Sequence, residues 1–210
     1  MKYSNIIFDF DGVIIESNHV KDKAFFDIFI NYGHNVAKFS YDYHLANRGV
    51  SRFDKISYVM NRFNLPDYDK KKIINDFSEN VFEEICNCEL VDGVLQFLEN
   101  HYTEYNFFLI SATPTEELIN ILQRINIKHY FIDIFGSPKN KKYWLSYLIK
   151  NKSLDIKHSL FIGDAESDKI ASNAFSIDFC LRLNGDNEDL IDNNVLFTID
   201  NFDNIHKFIK

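Results

Sequence analysis

The sequence predicts an α/β fold, a doubly wound parallel sheet interrupted after its first strand by an all-helical insertion. Three observations carry this reading. Short continuous apolar runs such as Ile6-Ile7-Phe8, Phe107-Phe108-Leu109-Ile110 and Leu160-Phe161-Ile162 have the pattern of strands covered on both faces. From Asp92 onward these runs alternate with stretches of helical spacing. Between about Ser17 and about Val91 only helical spacing is found, with no convincing period-two segment.

The first run ends in Asp9-Phe10-Asp11-Gly12. Residues two apart in extended chain point the same way, so both carboxylates can converge at the carboxyl edge of the sheet, where open α/β folds place ligands. Like charges that close need a cation or a shared proton, although two solvated turn aspartates would also fit this stretch taken alone. Helices are then expected over Asn18–Tyr32, with Val20, Ala24, Phe25, Ile28 and Phe29 on one face, over Ser51–Phe63 and over Asp69–Cys86. Pro66 separates the last two.

Alternation resumes with a helix over Val94–His101 and a strand that ends at Ser111. Thr113-Pro114-Thr115-Glu116 reads as a helix start in which Thr113 caps, Pro114 takes the first turn and Glu116 closes a capping box, leading into a helix over Glu116–Ile125. A serine at a strand end beside such a helix start suits a phosphate, but equally an ordinary polar strand end. A strand over Phe131–Phe135 leads to Gly136-Ser137-Pro138-Lys139-Asn140-Lys141-Lys142 and a helix over Tyr143–Ile149. Cations at a helix start are unfavourable unless an anion lies nearby.

The strand Ser159–Ile162 ends in Gly163-Asp164-Ala165-Glu166-Ser167-Asp168. Asp168 follows Asp164 by one turn in a helix over Glu166–Phe175, so both can face one point, or both can serve simply as helix caps. Strands near Phe179–Leu183 and Leu196–Ile199 and a helix over Phe202–Ile209 complete the sheet, and nothing there suggests chemistry.

Composition narrows the function. In 210 residues, Lys+Arg 23 against Asp+Glu 31 gives a net charge of −8, which disfavours binding to nucleic acid or an anionic membrane. An anionic substrate therefore needs local positive charge or a metal. No stretch approaches the ~18 consecutive apolar residues of a membrane span, so the expectation is a soluble, cytoplasmic protein, monomer or homodimer. Cys86, Cys88 and Cys180 are an odd set that reads as free thiols rather than a disulfide framework. The 21 Phe and 11 Tyr read as core rather than as a platform for stacking bases.

Four strand ends or turns thus each deliver a polar group: Asp9 with Asp11, Ser111, a lysine from Lys139–Lys142, and Asp164 with Asp168. Clustered carboxylates suit Mg²⁺, while a hydroxyl, a lysine and backbone N–H groups suit phosphoryl oxygens. This ordered set resembles the four motifs of the haloacid dehalogenase superfamily, and the helical insertion resembles the cap of its phosphoglycolate phosphatase and β-phosphoglucomutase branch. The resemblance implies a Rossmann-like core of residues 1–16 and 92–210 with a cap of residues 17–91. It also implies a small phosphorylated metabolite as substrate, a sugar phosphate or a phosphoglycolate-like acid. Asp9 would be the nucleophile on phosphorus and Asp11 the acid and base. Mg²⁺ would be held by Asp9, the Asp11 backbone carbonyl, Asp164 and Asp168, and Ser111, Ala112 and the lysine would bind the transferring oxygens. Dehalogenases of the superfamily lack a carboxylate at the second position, so Asp11 points to phosphoester chemistry.

Of the three lysines, Lys141 is preferred, because it stands at the turn-to-helix junction where a side chain can point back toward the strand ends. The family's usual proline after this lysine is missing here. Substrate choice is expected in the segment His44–Lys55, where Arg48, Arg52 and Lys55 concentrate positive charge around Gly49. Arg48 and Arg52 are the expected substrate contacts, Arg52 foremost, against the alternative of a solvated helix start. Rival functions sharing these features are a phosphosugar mutase, a phosphorelay receiver and an inactive scaffold. A receiver fits the insertion after the first strand poorly.

Overall fold

The computed structural model describes residues 2–209; residues 1 and 210, the outer limits of the expected core, lie outside the described residues. Strands β1 (Asn5–Phe8), β2 (Asn106–Pro114), β3 (Asp133–Ser137), β4 (Ser159–Gly163), β5 (Asp178–Arg182) and β6 (Phe197–Ile199) form one sheet, in the order β3-β2-β1-β4-β5-β6. Every pair is parallel. Parallel neighbours need long crossovers. These are supplied by α5 (Val94–His101), α6 (Thr115–Arg124), α7 (Lys141–Asn151) and α8 (Glu166–Asn173), with α9 (His206–Ile209) at the end.

Side-chain alternation explains the two covered faces. Ile6, Phe8, Phe107, Leu109, Leu160 and Ile162 join one apolar cluster with Val94, Leu98, Leu118 and Leu122 of α5 and α6. Ile7, Phe108, Ile110, Phe161, Phe179 and Leu181 join another with Leu145, Leu148 and Ala171 of α7 and α8. The central stretches Ile6-Ile7-Phe8, Phe107-Phe108-Leu109-Ile110 and Leu160-Phe161-Ile162 are therefore apolar at consecutive positions, which is why they read as unbroken runs.

Between β1 and α5 the chain forms α1 (Asn18–Asp27), α2 (His34–Leu45), α3 (Arg52–Arg62) and α4 (Lys70–Cys86). Val20, Phe25, Phe29, Ile56, Val59, Phe77 and Val81 pack these helices together in the same cluster that covers the first face of the sheet. Ser51 caps α3 by accepting a hydrogen bond from the Asp54 N–H. The first insertion helix is shorter than expected, because α1 stops at Asp27 and a 3₁₀ turn covers Ile30–Tyr32 before Gly33 starts α2. Among the described residues no helix is long and apolar enough to cross a membrane.

Two local expectations are corrected. The second strand does not end at Ser111 but runs to Pro114, with an irregular register against β3 between Ile110 and Pro114. Thr113 therefore lies in the strand and does not cap α6, whose preceding residue is Pro114. The physical reason is competition for its hydroxyl, which hydrogen-bonds the Asp11 carboxylate and the Lys21 ammonium. The third strand and the helix after it are also displaced from expectation: β3 covers Asp133–Ser137, and α7 starts at Lys141 because Asn140 caps it by accepting from the Tyr143 N–H.

Strand order reverses beside β1, with β2 and β3 on one side and β4, β5 and β6 on the other. A crevice opens at such a point beyond the carboxyl ends of the strands. Asp9 follows β1 there, and Asp164 follows β4.

Candidate active site

The parallel ladder continues one residue past β1, with the Asp9 N–H donating to the Ile162 carbonyl at 2.9 Å. Asp9 is thus fixed beside the end of β4. One carboxylate oxygen each from Asp9, Asp164 and Asp168 lies within 4.8 Å of the others, and all three residues are buried. Lys141 reaches into this group from the start of α7, with Nζ 2.8 Å from Asp9 Oδ2 and 2.5 Å from Asp168 Oδ1. Lys139 instead lies over the Tyr143 ring, and Lys142 is exposed.

The electrostatics are unbalanced. Burial pushes the Asp9 carboxyl up to about 7 against the pull of Lys141, with Asp168 and Asp11 adding to the rise. Burial and the Asp9 charge push Asp164 up to about 6. Burial likewise raises Asp168, while the surrounding carboxylates hold Lys141 protonated despite its own burial. Asp9 Oδ1 is buried without a hydrogen-bond partner among the described residues. Three acids facing one ammonium, with an unpartnered oxygen among them, form an all-oxygen donor set of the kind that holds a hard divalent cation.

Asp11 belongs to a different arrangement. Its carboxylate accepts from the Ser17 hydroxyl at 2.6 Å, the Thr113 hydroxyl at 3.1 Å and the Lys21 ammonium. Burial alone would raise this acid, but Lys21 and the two hydroxyls hold it below the usual carboxylate range. The Asp11 side chain stands outside the three-carboxylate group. Gly12 permits the turn between them: its φ is +73°, and a Cβ there would come within 2.1 Å of Asp164 Oδ2.

Ser111 is buried and accepts from the Thr113 N–H at 3.1 Å. Ala112 lines the cavity in front of Asp9 together with Asp11, Lys21, Thr113 and Asp164. From the helical insertion Arg48, Arg52 and Lys55 line the same cavity. The guanidinium of Arg52, however, is taken up by Glu117 of α6 at 2.5 and 2.9 Å and by the Ser78 hydroxyl at 2.7 Å. That of Arg48 pairs with Asp22 at 2.6 Å and with Asp186 at 3.2 Å.

The sequence pattern of the haloacid dehalogenase-like hydrolases matches residues 6–181, most of the chain, including Asp9, Asp11, Ser111, Lys141, Asp164 and Asp168. The chain belongs to the haloacid dehalogenase-like hydrolase family. No curated protein matches it. Among solved structures, a protein described as a predicted phosphoglycolate phosphatase from Haemophilus somnus is 19% identical with a TM-score of 0.76, over 100% of this chain and 99% of that one. The β-phosphoglucomutase of Clostridium difficile is 18% identical with a TM-score of 0.74, over 95% of this chain and 92% of that one. The HAD-hydrolase YfnB of Bacillus subtilis, in a magnesium-bound form, is 16% identical with a TM-score of 0.71, over 100% and 99%. At these identities the likeness is one of fold.

Several residues of this hydrolase's site have no counterpart in the sequence reading. Lys21 and Thr113 secure Asp11, and a cation in the first turns of α1, where the helix end disfavours it, was the available signal for Lys21. Asn18 and Asn184 donate to Asp164 Oδ2 at 2.8 and 2.9 Å, and Asn187 donates to the Asp164 carbonyl at 2.7 Å. The loop after β5, expected to be without chemistry, therefore orients a carboxylate of the site. Nothing in its local pattern marks this, because the contact spans 20 or more residues.

Proposed function

We propose that this hydrolase is a Mg²⁺-dependent phosphomonoester phosphatase that acts on a small phosphorylated metabolite through an aspartyl-phosphate on Asp9. The observation that carries the reading is the Asp9 carboxylate itself. Lys141 holds one oxygen, the other is buried without a hydrogen-bond partner among the described residues, and Asp9 lines a cavity together with Asp11 and Thr113. A metal bound by Asp9, Asp164, Asp168 and the Asp11 carbonyl would neutralise charge on the phosphoryl group and allow two anions to meet. The magnesium-bound form of YfnB supports that choice of ion.

In this reading Asp9 attacks phosphorus as the ester P–O bond breaks, and the leaving oxygen takes a proton from Asp11. Water then attacks the phosphorus, Asp11 takes the water's proton, and phosphate leaves as the Asp9 carboxylate is regenerated. Lys21 holds Asp11 in the base form, so loading Asp11 with a proton requires Lys21 to turn partly toward the arriving phosphate. Ser111, the backbone at Ala112 and Lys141 steady the equatorial oxygens. Residues 17–91 act as a cap over a core of residues 1–16 and 92–210.

A phosphate-release assay over small phosphomonoesters tests this reading. Activity should require Mg²⁺ and vanish in chelator. Asp9→Asn should lower kcat by at least about 1,000-fold with the fold retained by circular dichroism, since an amide cannot accept the phosphoryl group. Full activity in chelator, or a variant retaining a tenth of kcat, would remove the basis for the assignment.

A further inference from the structure

Four cationic side chains line the cavity in front of Asp9. Lys21 pairs with Asp11, Arg48 with Asp22 and Asp186, and Arg52 with Glu117. Lys55 differs. Among the described residues its Nζ has a single hydrogen-bond partner, Nδ1 of His44 at 2.8 Å, and no carboxylate.

This amine is held in place rather than mobile. Lys55 is 2% exposed, and its Nζ stands 5.1 Å from the centre of the Phe25 ring, on which His44 also stacks at 4.3 Å. Nε2 of His44 lies 3.0 Å from Asp22 Oδ1. Asp22 accepts the Nε2–H, which leaves Nδ1 as the acceptor for Lys55. Two of the three ammonium hydrogens remain without an acceptor among the described residues, in the cavity that Lys55 shares with Asp9 and Asp11. A buried cation without a counter-charge is costly, and the cost disappears when an anion arrives. Burial accordingly pushes the ammonium down to about 7, with Lys21 adding to the fall and the unbonded charges of Asp11 and Asp22 only partly opposing it. A hydroxyl could accept one hydrogen bond here but would leave the charge uncompensated.

We propose that Lys55, oriented by His44 and Asp22, binds a second anionic group of the substrate. The natural substrate is then a phosphomonoester that carries a carboxylate or a second phosphate near the ester being cleaved, not a neutral phosphosugar or alcohol phosphate. Lys55 is a binding residue and His44 and Asp22 are positioning residues. The inference rests on the phosphatase reading.

The test compares kcat/KM of the full chain with Mg²⁺ on 2-phosphoglycolate and on 2-hydroxyethyl phosphate, which replaces the carboxylate with an alcohol. Fructose 1,6-bisphosphate against fructose 6-phosphate forms a second arm that separates a phosphate partner from a carboxylate. In one arm the anion-bearing member should be preferred at least about tenfold, and Lys55→Met should bring that ratio close to one. The ratio is taken within one preparation, so partial unfolding of the variant cancels. A wild-type ratio near one in both arms, or a ratio unchanged in Lys55→Met, would overturn the inference while leaving the phosphatase reading intact. If no phosphomonoester releases phosphate, that reading fails instead, and calorimetric binding of 2-phosphoglycolate decides the subsite. Tenfold weaker binding in Lys55→Met supports it, and equal binding overturns it.

Discussion

Asp11 is surrounded by donors from three elements: Ser17 before α1, Lys21 within α1 and Thr113 in β2. Its position two residues after Asp9 was legible in the chain, but its partners were not, since Thr113 lies 102 residues away. The sequence placed Thr113 at a helix cap because Thr-Pro-Thr-Glu is good local cap chemistry. The structure uses that hydroxyl at longer range. Lys21→Met should remove the main charge that holds Asp11 below the ordinary carboxylate range, so the alkaline limb of the kcat/KM profile, where the acid that protonates the leaving oxygen is lost, should move to higher pH. The maximal rate should fall about 100-fold, within the range for a mis-set general acid–base group. An unshifted limb would show that Lys21 does not tune Asp11.

At the scale of elements, the link between α3 and α6 decides what Arg52 does. The arginine was picked from the sequence as a substrate contact because it follows Gly49 closely, and it does line the cavity. Its bidentate pairing with Glu117, a residue read only as part of a helix start, could not be seen before the two helices were brought together. Both partners are largely buried, with side-chain exposures of 3% and 11%. Arg52→Met strands Glu117 in a dry site and should destabilise the protein by about 3 kcal/mol, measured by urea unfolding. Glu117→Gln in the same chain should recover part of the loss. A stability unchanged by Arg52→Met would mean the pair is not formed. The turn before α3 approaches just as closely: Gly49 has φ +78°, and a Cβ there would lie 2.1 Å from Ser167 Oγ. That proximity was invisible in a chain where the two residues are far apart.

For the whole molecule, the sheet and its acidic strand ends were legible because parallel strands buried on both faces write themselves as unbroken apolar runs. Ile6-Ile7-Phe8 and Leu160-Phe161-Ile162 divide alternately between the two apolar clusters, as that pattern requires. Boundaries were less legible where a side-chain hydrogen bond sets them, at long range for Thr113 and as a local helix cap for Asn140. Global stability carries a mark of the buried lysine. Lys55 titrates near 10.5 when unfolded and about 7 when folded, because burial disfavours its charge. Between these values the unfolded chain binds more protons, so this group makes stability rise with pH from 7 toward 10.5, and its penalty is fully present below pH 7. Relative to wild type, Lys55→Met should therefore gain most at pH 6 and progressively less toward pH 10, by thermal unfolding at several pH values. A difference that does not change with pH would show that Lys55 is not a destabilised buried cation.

Whether Asp9 is the phosphoryl acceptor is read out by rapid acid quench of a single turnover with a ³²P-labelled phosphomonoester and Mg²⁺. Transient label should appear on the peptide containing Asp9, decay as phosphate is released, and be missing from Asp9→Asn. Phosphate release at full rate with no protein-bound label at any time, or label on a different residue, would rule out Asp9 as the acceptor.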